Sequence, residues 1–220
     1  MTNPIAISVI IPTLNEAARV CDLLGDLAAA RGAGLELILV DGGSKDGTAD
    51  LARPLADLVL ETGRGRAAQM NTGARAARSV YLWFLHADTR VSPEALAALR
   101  AACGDGVPWG RFDVRLSGRR PLLRLVERLM NHRSCLTGIA TGDQGIFVAR
   151  AGFEAVGGYP EIPLMEDIAL SKALRRRARP LCLRTPIETS SRRWEERGLL
   201  RTILLMWRLR LAYALGADPS

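Results

Sequence analysis

Along the first half of the chain, short unbroken apolar runs alternate with segments whose apolar residues recur at helical spacing. Residues 5–11 form a β-branched run closed by Pro12, which predicts a buried strand, and residues 15–30 then place Val20, Leu23, Leu24 and Leu27 on one helical face. The pattern repeats with a strand over 35–40, a turn at Asp41-Gly42-Gly43-Ser44, and a helix over 45–56 capped by Ser44 or Asp46. A strand over 58–61, a loop over 62–65 and an alanine-rich helix over 66–78 follow, and residues 80–85 make a fourth strand. Short apolar strands alternating with helices predict a mostly parallel α/β sheet covered on both faces, with ligands beyond the carboxyl ends of the strands. The loops after Ile11, Val40, Glu61 and Leu85 should therefore converge on one site.

After a helix at 93–102 the alternation becomes irregular, with a strand over 109–116, a helix over 121–131 and a strand over 144–149. This half is expected to complete the site rather than fold alone. The chain is therefore read as one domain, 1–220, with a ligand-binding part at 1–102, a second part at 103–197 and a basic amphipathic helix at 198–217. That helix carries Leu200, Ile203, Trp207 and Ala214 on one face and Arg197, Arg201 and Arg208 on another. It can pack on its own core, pair two copies as a homodimer, or lie peripherally on an acidic membrane; core packing is favoured, as for most amphipathic helices.

Composition narrows the class. With 48% apolar and 24% charged residues, 220 residues hold one sizeable core and exclude a disordered or fibrous protein. Lys+Arg outnumber Asp+Glu by 30 to 23, and the net charge of +7 favours an anionic partner: nucleotide phosphates, a nucleic acid or an acidic membrane. Cys21, Cys103, Cys135 and Cys182 are far apart, without a CxxC pair, and are expected to be reduced thiols of a cytoplasmic protein. The N-terminus lacks a basic leader segment and no apolar run reaches membrane-spanning length, so the expectation is a cytoplasmic protein at most peripheral to the inner face of the membrane.

The loops carry the candidate chemistry. In Pro12-Thr13-Leu14-Asn15-Glu16, proline stops the strand, Asn15 can cap the next helix, and Glu16 suits its first turn. In the second loop, Gly42 and Gly43 leave room for a ligand at the backbone, and Asp41 ends the strand as an acceptor for a base or ribose donor. Gly63-Arg64-Gly65-Arg66-Ala67-Ala68 has the outline of a dinucleotide fingerprint, but it does not open the first unit of the sheet, and Arg64 can equally contact an anionic nucleotide. His86 and Asp88, beyond the fourth strand, are candidate ligands for Mg²⁺ or Mn²⁺ on a diphosphate.

Taken in order, Ile10-Ile11-Pro12-Thr13-Leu14-Asn15-Glu16, Val40-Asp41-Gly42-Gly43-Ser44 and His86-Ala87-Asp88-Thr89 resemble the nucleotide-site motifs of family 2 glycosyltransferases with the GT-A fold. The resemblance implies that the first two loops bind the nucleoside, with Asp41 on the base, and that the D-x-D position, here His86-Ala87-Asp88, holds Mn²⁺ or Mg²⁺ with the diphosphate; His86 stands where the first aspartate is expected. Gly142-Asp143-Gln144 resembles the segment lining the acceptor pocket, and Glu166-Asp167 the E-D motif whose second acid is the base of inverting members, with Glu166 orienting it. Arg193-Trp194 resembles the end of a Q-x-x-R-W motif that has lost its glutamine, which implies at most an acceptor-side role.

The function implied is inverting transfer from a nucleotide-diphosphate sugar, a UDP-sugar ahead of a GDP-sugar, to a small-molecule or lipid-linked hydroxyl. The short length, the His86 variant and the Gly142-Asp143-Gln144 segment are most similar to a bacterial subgroup labelled arsenosugar biosynthesis glycosyltransferases. Two rivals rank behind: an NAD(P)-dependent oxidoreductase using Gly63–Ala68, and a nucleic-acid-binding protein using the arginine-rich end. Neither accounts for Asp41, Asp88 and Asp167 together.

Overall fold

The computed structural model describes residues 6–31, 33–192 and Arg208. At its centre is β1 (Ile7–Thr13), flanked in parallel by β2 (Leu35–Asp41) and β4 (Tyr81–Phe84), with β3 (Leu58–Glu61) parallel to β2 at the sheet's edge. Successive side chains of a strand point to opposite faces. Ile7, Val9 and Ile11 accordingly join one hydrophobic cluster with Val20, Leu23, Leu24 and Leu27 of α1 (Ala17–Ala28), while Ile10, Ile38 and Val40 join the other with Ala67, Met70 and Ala74 of α3 (Arg66–Ala76). Both faces are apolar, which is why these strands show no alternation in sequence. Helix α3 lies so close to β1 that a Cβ on Gly73 would stand 2.5 Å from Ile10 Cγ2.

α2 (Thr48–Ala52) is shorter than the expected 45–56 helix. Its N-cap is Gly47 in the left-handed region at φ 84°, and Asp46, one residue earlier, accepts the Thr48 N–H at 3.1 Å, so of the two expected residues Asp46 serves the helix start and Ser44 does not. Arg53 still has helical backbone angles, and the helix ends at Pro54, which has no N–H to continue the ladder. The N-cap of α1 is Glu16 rather than Asn15, whose own backbone is left-handed at φ 55°.

The second half adds β5 (Thr89–Arg90), α4 (Pro93–Gly104), β6 (Trp109–Leu116), α5 (Pro121–Thr137), β7 (Phe147–Ala149), α6 (Arg150–Glu154), α7 (Glu166–Arg175) and β8 (Leu181–Thr189). The sheet has eight strands in the order β3-β2-β1-β4-β7-β6-β8-β5. It is mixed: β7 runs antiparallel to β4 and β6, β8 is parallel to β6, and β5 is antiparallel to β8.

Two expectations shift here. Helix α5 passes Asn131 and continues to Gly138, which closes it in the left-handed conformation at φ 67°. The Asn131 side chain instead bonds both the N–H (2.9 Å) and the carbonyl (3.0 Å) of Val114 on β6. Residues Gly142–Gln144, expected to lead into or begin the strand, form a 3₁₀ turn before β7.

Candidate functional site

At the carboxyl end of the sheet, Thr13 lies beside Asp41 in register. Asp41 Oδ2 accepts from the backbone N–H groups of Gly43 (3.0 Å) and Ser44 (2.7 Å), and Oδ1 accepts from the hydroxyls of Thr13 (3.1 Å) and Ser44. A carboxylate has about four lone-pair positions, so Asp41 folds this loop as well as ending the strand. Pro12 and Gly42 lie on the same floor, where Gly42 donates to the Thr13 carbonyl at 2.9 Å and Gly43 adopts φ 85°.

The first loop is laced to the second. Asn15 N–H donates to Ser44 Oγ (2.8 Å), Lys45 N–H to Asn15 Oδ1 (2.9 Å), Glu16 N–H to Thr48 Oγ1 (2.9 Å) and Ala17 N–H to Asp46 Oδ2 (3.0 Å). The Glu16 carboxylate pairs with Arg19 at 3.3 Å. Beneath them lies Gln69, a residue the sequence did not single out. Its buried amide nitrogen donates to the carbonyls of both Thr13 and Val40 at 2.8 Å, and a Cβ on Gly42 would stand 3.1 Å from it. The available signal was a glutamine among Ala67, Met70 and Ala74 on the apolar face of α3.

His86, Ala87 and Asp88 follow β4. Ala87 is buried, while His86 and Asp88 are partly exposed. Here the two halves of the chain meet. A Cβ on Gly142 would stand 2.6 Å from His86 Nε2 and 3.7 Å from Asp167 Oδ2, so this glycine fits its backbone between the imidazole and the carboxylate. Gly142 N–H donates to Asp167 Oδ2 at 2.7 Å, and Ile168 N–H donates to Asp167 Oδ1 at 2.7 Å. Thr141 donates to Asp143 in the same turn, and Gln144, fully buried, accepts from the Thr141 N–H at 3.2 Å and reaches Asn131 at 3.4 Å. Gln144 therefore shapes the segment from inside and does not line its surface.

Asp167 stands in the first turn of α7, after Met165 in the left-handed conformation at φ 68°. Burial, with the neighbouring Glu166 and Asp143 charges, pushes its carboxyl from the usual 3.8 up to about 6, against the lowering effect of its two backbone hydrogen bonds. Glu166 is buried and pairs with Arg66 at 3.4 Å. The β3–α3 loop thus reaches the α7 start through Arg66, whereas the expected Arg64 is exposed beside it. Tyr159, also not foreseen, is buried next to these acids, and desolvation and the charges of Asp167 and Glu166 hold its phenol well above the usual range. It packs edge-on against Phe84 with ring centroids 5.0 Å apart, and its backbone is clasped by Asn71.

Arg193, Trp194 and the helix expected at 198–217 lie outside the described residues, apart from Arg208, which is helical. The Gly63–Ala68 loop follows β3, an edge strand, and not the central strand that a dinucleotide fingerprint follows. Among the described residues no helix is long and apolar enough to cross a membrane.

A parallel α/β sheet with laced loops at one end, joined to a mixed extension that carries the Glu166-Asp167 pair, defines the GT-A class of fold, and solved structures agree. The chain superposes on S. aureus TarS residues 1–349 in complex with UDP-GlcNAc with a TM-score of 0.67 at 18% identity, over 84% of this chain and 58% of that one. It superposes on the mannosyltransferase PcManGT from Pyrobaculum calidifontis, in complex with GDP-Man and Mn²⁺, with a TM-score of 0.63 at 25% identity, over 86% and 57%. The profile of glycosyl transferase family 2 matches residues 8–147, and the chain belongs to that family.

Among curated proteins it is 38% identical over 166 residues to a PGL/p-HBAD biosynthesis glycosyltransferase of Mycobacterium bovis, covering 69% of this chain and 62% of the relative. It is 34% identical over 154 residues to the undecaprenyl-phosphate 4-deoxy-4-formamido-L-arabinose transferase of Pseudomonas paraeruginosa, covering 63% and 44%. The chain thus spans less than two thirds of the length of these curated relatives.

Proposed function

We propose that this protein is an inverting glycosyltransferase that moves a sugar from a nucleotide-diphosphate sugar to an acceptor hydroxyl, with Asp167 as the general base. The observation that carries this reading is the Asp167 carboxyl, held at about 6 and aimed by the Gly142 N–H at the junction of the two halves. A general base works best when it is ionised at the working pH and still basic enough to take a proton, and a carboxyl near 6 meets both needs. Asp167 takes the acceptor hydroxyl proton as the new oxygen–carbon bond forms at the anomeric carbon and the bond to the diphosphate oxygen breaks on the opposite side. Glu166, tied to Arg66, orients the start of α7.

The nucleoside would lie over Pro12, Thr13, Glu16, Asp41, Gly42 and Gly43. A base contact to Asp41 would exchange one of its present loop hydrogen bonds for one to the ligand. Arg64, which is exposed, would contact the diphosphate. Gly142 and Asp143 would face the acceptor, with Arg193 and Trp194 as further acceptor-side candidates.

Among the described residues no three His, Cys, Asp or Glu side chains form a metal cluster. That fits a cation which takes one or two protein donors and completes its shell with phosphate oxygens and water, the usual habit of Mg²⁺. Asp88 would hold Mn²⁺ or Mg²⁺ with an oxygen. His86 would add a nitrogen, and to offer Nε2 its ring would turn from Gly142. Such an ion, when bound, supplies charge neutralisation at the departing diphosphate.

The complexes of TarS with UDP-GlcNAc and of PcManGT with GDP-Man and Mn²⁺ support a nucleotide sugar as donor, and a UDP-sugar is favoured here. The undecaprenyl-phosphate transferase supports a lipid-linked acceptor. The similarity to the arsenosugar-labelled subgroup remains a likeness of motif and length, and it identifies no acceptor. The test is calorimetry with UDP, GDP and NAD, each with and without Mn²⁺, followed by turnover of Asp167→Asn. Binding of one nucleoside diphosphate, with binding kept and transfer reduced about 10²–10⁴-fold in the variant, is expected. Binding of NAD alone, or full turnover in the variant, overturns the reading.

A further inference from the structure

Helix α5 buries Leu123, Val126, Glu127 and Ser134 against the protein, yet Leu122, Leu125, Leu129 and Leu136 are 45%, 51%, 60% and 62% exposed. At about 100° per residue these four leucines fall within one narrow stripe, about 21 Å long from first to last. Isolated exposed leucines are ordinary; four in line on one helix face are not.

The charge around the stripe is of one sign. Between residues 118 and 137 the sequence holds a single carboxylate, Glu127. It is buried, accepting from the Leu116 N–H and pairing with Arg124 at 3.1 Å, while Arg124 turns back to the carbonyls of Leu116 and Gly118. The exposed charges that remain on and before the helix are Arg119, Arg120 and Arg128, all cationic. The stripe also runs toward the reaction centre, because α5 ends at Gly138 and the chain enters the Thr141–Gln144 turn, whose Gly142 holds Asp167.

We propose that the exposed face of α5 docks on an acidic lipid bilayer, its leucines entering the acyl boundary and Arg119, Arg120 and Arg128 meeting anionic headgroups. A helix with a leucine face and arginine flanks is the form that lies in a membrane interface, and charge complementarity selects the acidic surface over a neutral one. Docking there would set the Gly142 turn beside the bilayer. The inference does not depend on the transferase reading, since binding is measured without nucleotide or sugar.

The experiment is co-sedimentation of the full chain with vesicles of phosphatidylcholine alone or mixed with phosphatidylglycerol, with hydrogen exchange of residues 121–137 followed in parallel. Expected results are binding to the mixed vesicles that weakens as salt rises from about 0.1 M to about 1 M, and slower exchange in α5 when vesicles are present. Leu125→Glu/Leu129→Glu should reduce partitioning about tenfold or more with an unchanged melting temperature, since both side chains already face solvent. Arg119→Gln/Arg120→Gln should reduce it on acidic vesicles only.

Three outcomes overturn the proposal. In one, the leucine variant binds vesicles as the parent does, which would assign binding to another segment. In another, α5 is already protected without vesicles and unchanged by them. In the third, the parent sediments as a dimer that the leucine variant splits, without vesicle binding, which would make this face the contact for a second copy.

Discussion

Asp167→Asn should make the protein both inactive and more stable, and the stability gain should depend on pH. A carboxyl held at about 6 instead of 3.8 is disfavoured in its ionised, folded form by about 3 kcal/mol, at about 1.36 kcal/mol per pH unit. Solvent at the partly accessible edge of the residue trims this to roughly 2–3 kcal/mol. Below pH 3.8 the carboxyl is protonated in folded and unfolded chains alike, and the parent and the variant should differ little. Between 3.8 and about 6 the unfolded chain releases the proton while the folded chain retains it, so the parent loses stability as pH rises. Above about 6 the loss is complete. Asparagine does not titrate, so the variant escapes that loss. Urea unfolding of both proteins from pH 4 to pH 8 should show a gap that opens through this window, with thermal midpoints separating by roughly 2–4 °C per kcal/mol for a chain of this size. The parent's kcat/KM should lose activity on the acid side with an apparent pKa of about 6. A gap that stays flat with pH, or a parent more stable than the variant at pH 8, would refute the account of Asp167 as a carboxyl charged at a cost.

Three further outcomes follow from the geometry. Gly142→Ala would put a methyl group 2.6 Å from His86 Nε2 and disturb the N–H that holds Asp167; transfer should fall about tenfold or more and the acid limb of the pH profile should move upward, because a hydrogen bond that favours the charged form is weakened. Gln69→Leu leaves the carbonyls of Thr13 and Val40 without their donor and should lower stability by about 2 kcal/mol, read as a lower thermal midpoint together with weaker nucleoside diphosphate binding. Asp88→Ala should bind nucleoside diphosphate equally with and without Mn²⁺ in calorimetry, whereas the parent binds more tightly with the ion; an unchanged Mn²⁺ effect in the variant would remove Asp88 as its holder.

The first half of the chain was legible because its central strands are buried on both faces and so are dominated by apolar residues, broken within only by Ser8 and Glu36, which bond each other at 2.6 Å. All of β8, which was not among the expected elements, was hidden by its pattern. Leu181–Thr189 mixes exposed and half-buried residues, contains Pro186, and pairs with β6 through a register shift after Phe112. Arg111 conveyed the opposite message, a charge in the middle of a strand that is nonetheless fully buried, held by Asp113 and by the Asn131 carbonyl at 2.8 Å. At the site, Asp41, Asp88 and Asp167 were visible as short motifs, and the structure brings Asp167 to the end of β4. Tyr159, Gln69 and Arg66 carry no motif of their own. They matter through partners distant in sequence, such as Glu166 for Arg66, and a single chain read locally does not disclose those pairings.

The pairing of β5 with β8 has a consequence for synthesis. Thr89, the residue after Asp88, is matched in the sheet with Thr189, one hundred residues later. On a ribosome adding about 5–20 residues per second, the strand that fastens the Asp88 loop is made roughly 5–20 s after the loop itself. The first four strands and their helices can settle in that interval, but β5, which follows Asp88, has no strand to pair with until nearly the whole described chain exists. A ribosome stalled before β8 would therefore carry a nearly finished first half whose Asp88 segment is held to α1 through Arg90 and Val91 on Asp26 but still lacks its partner strand.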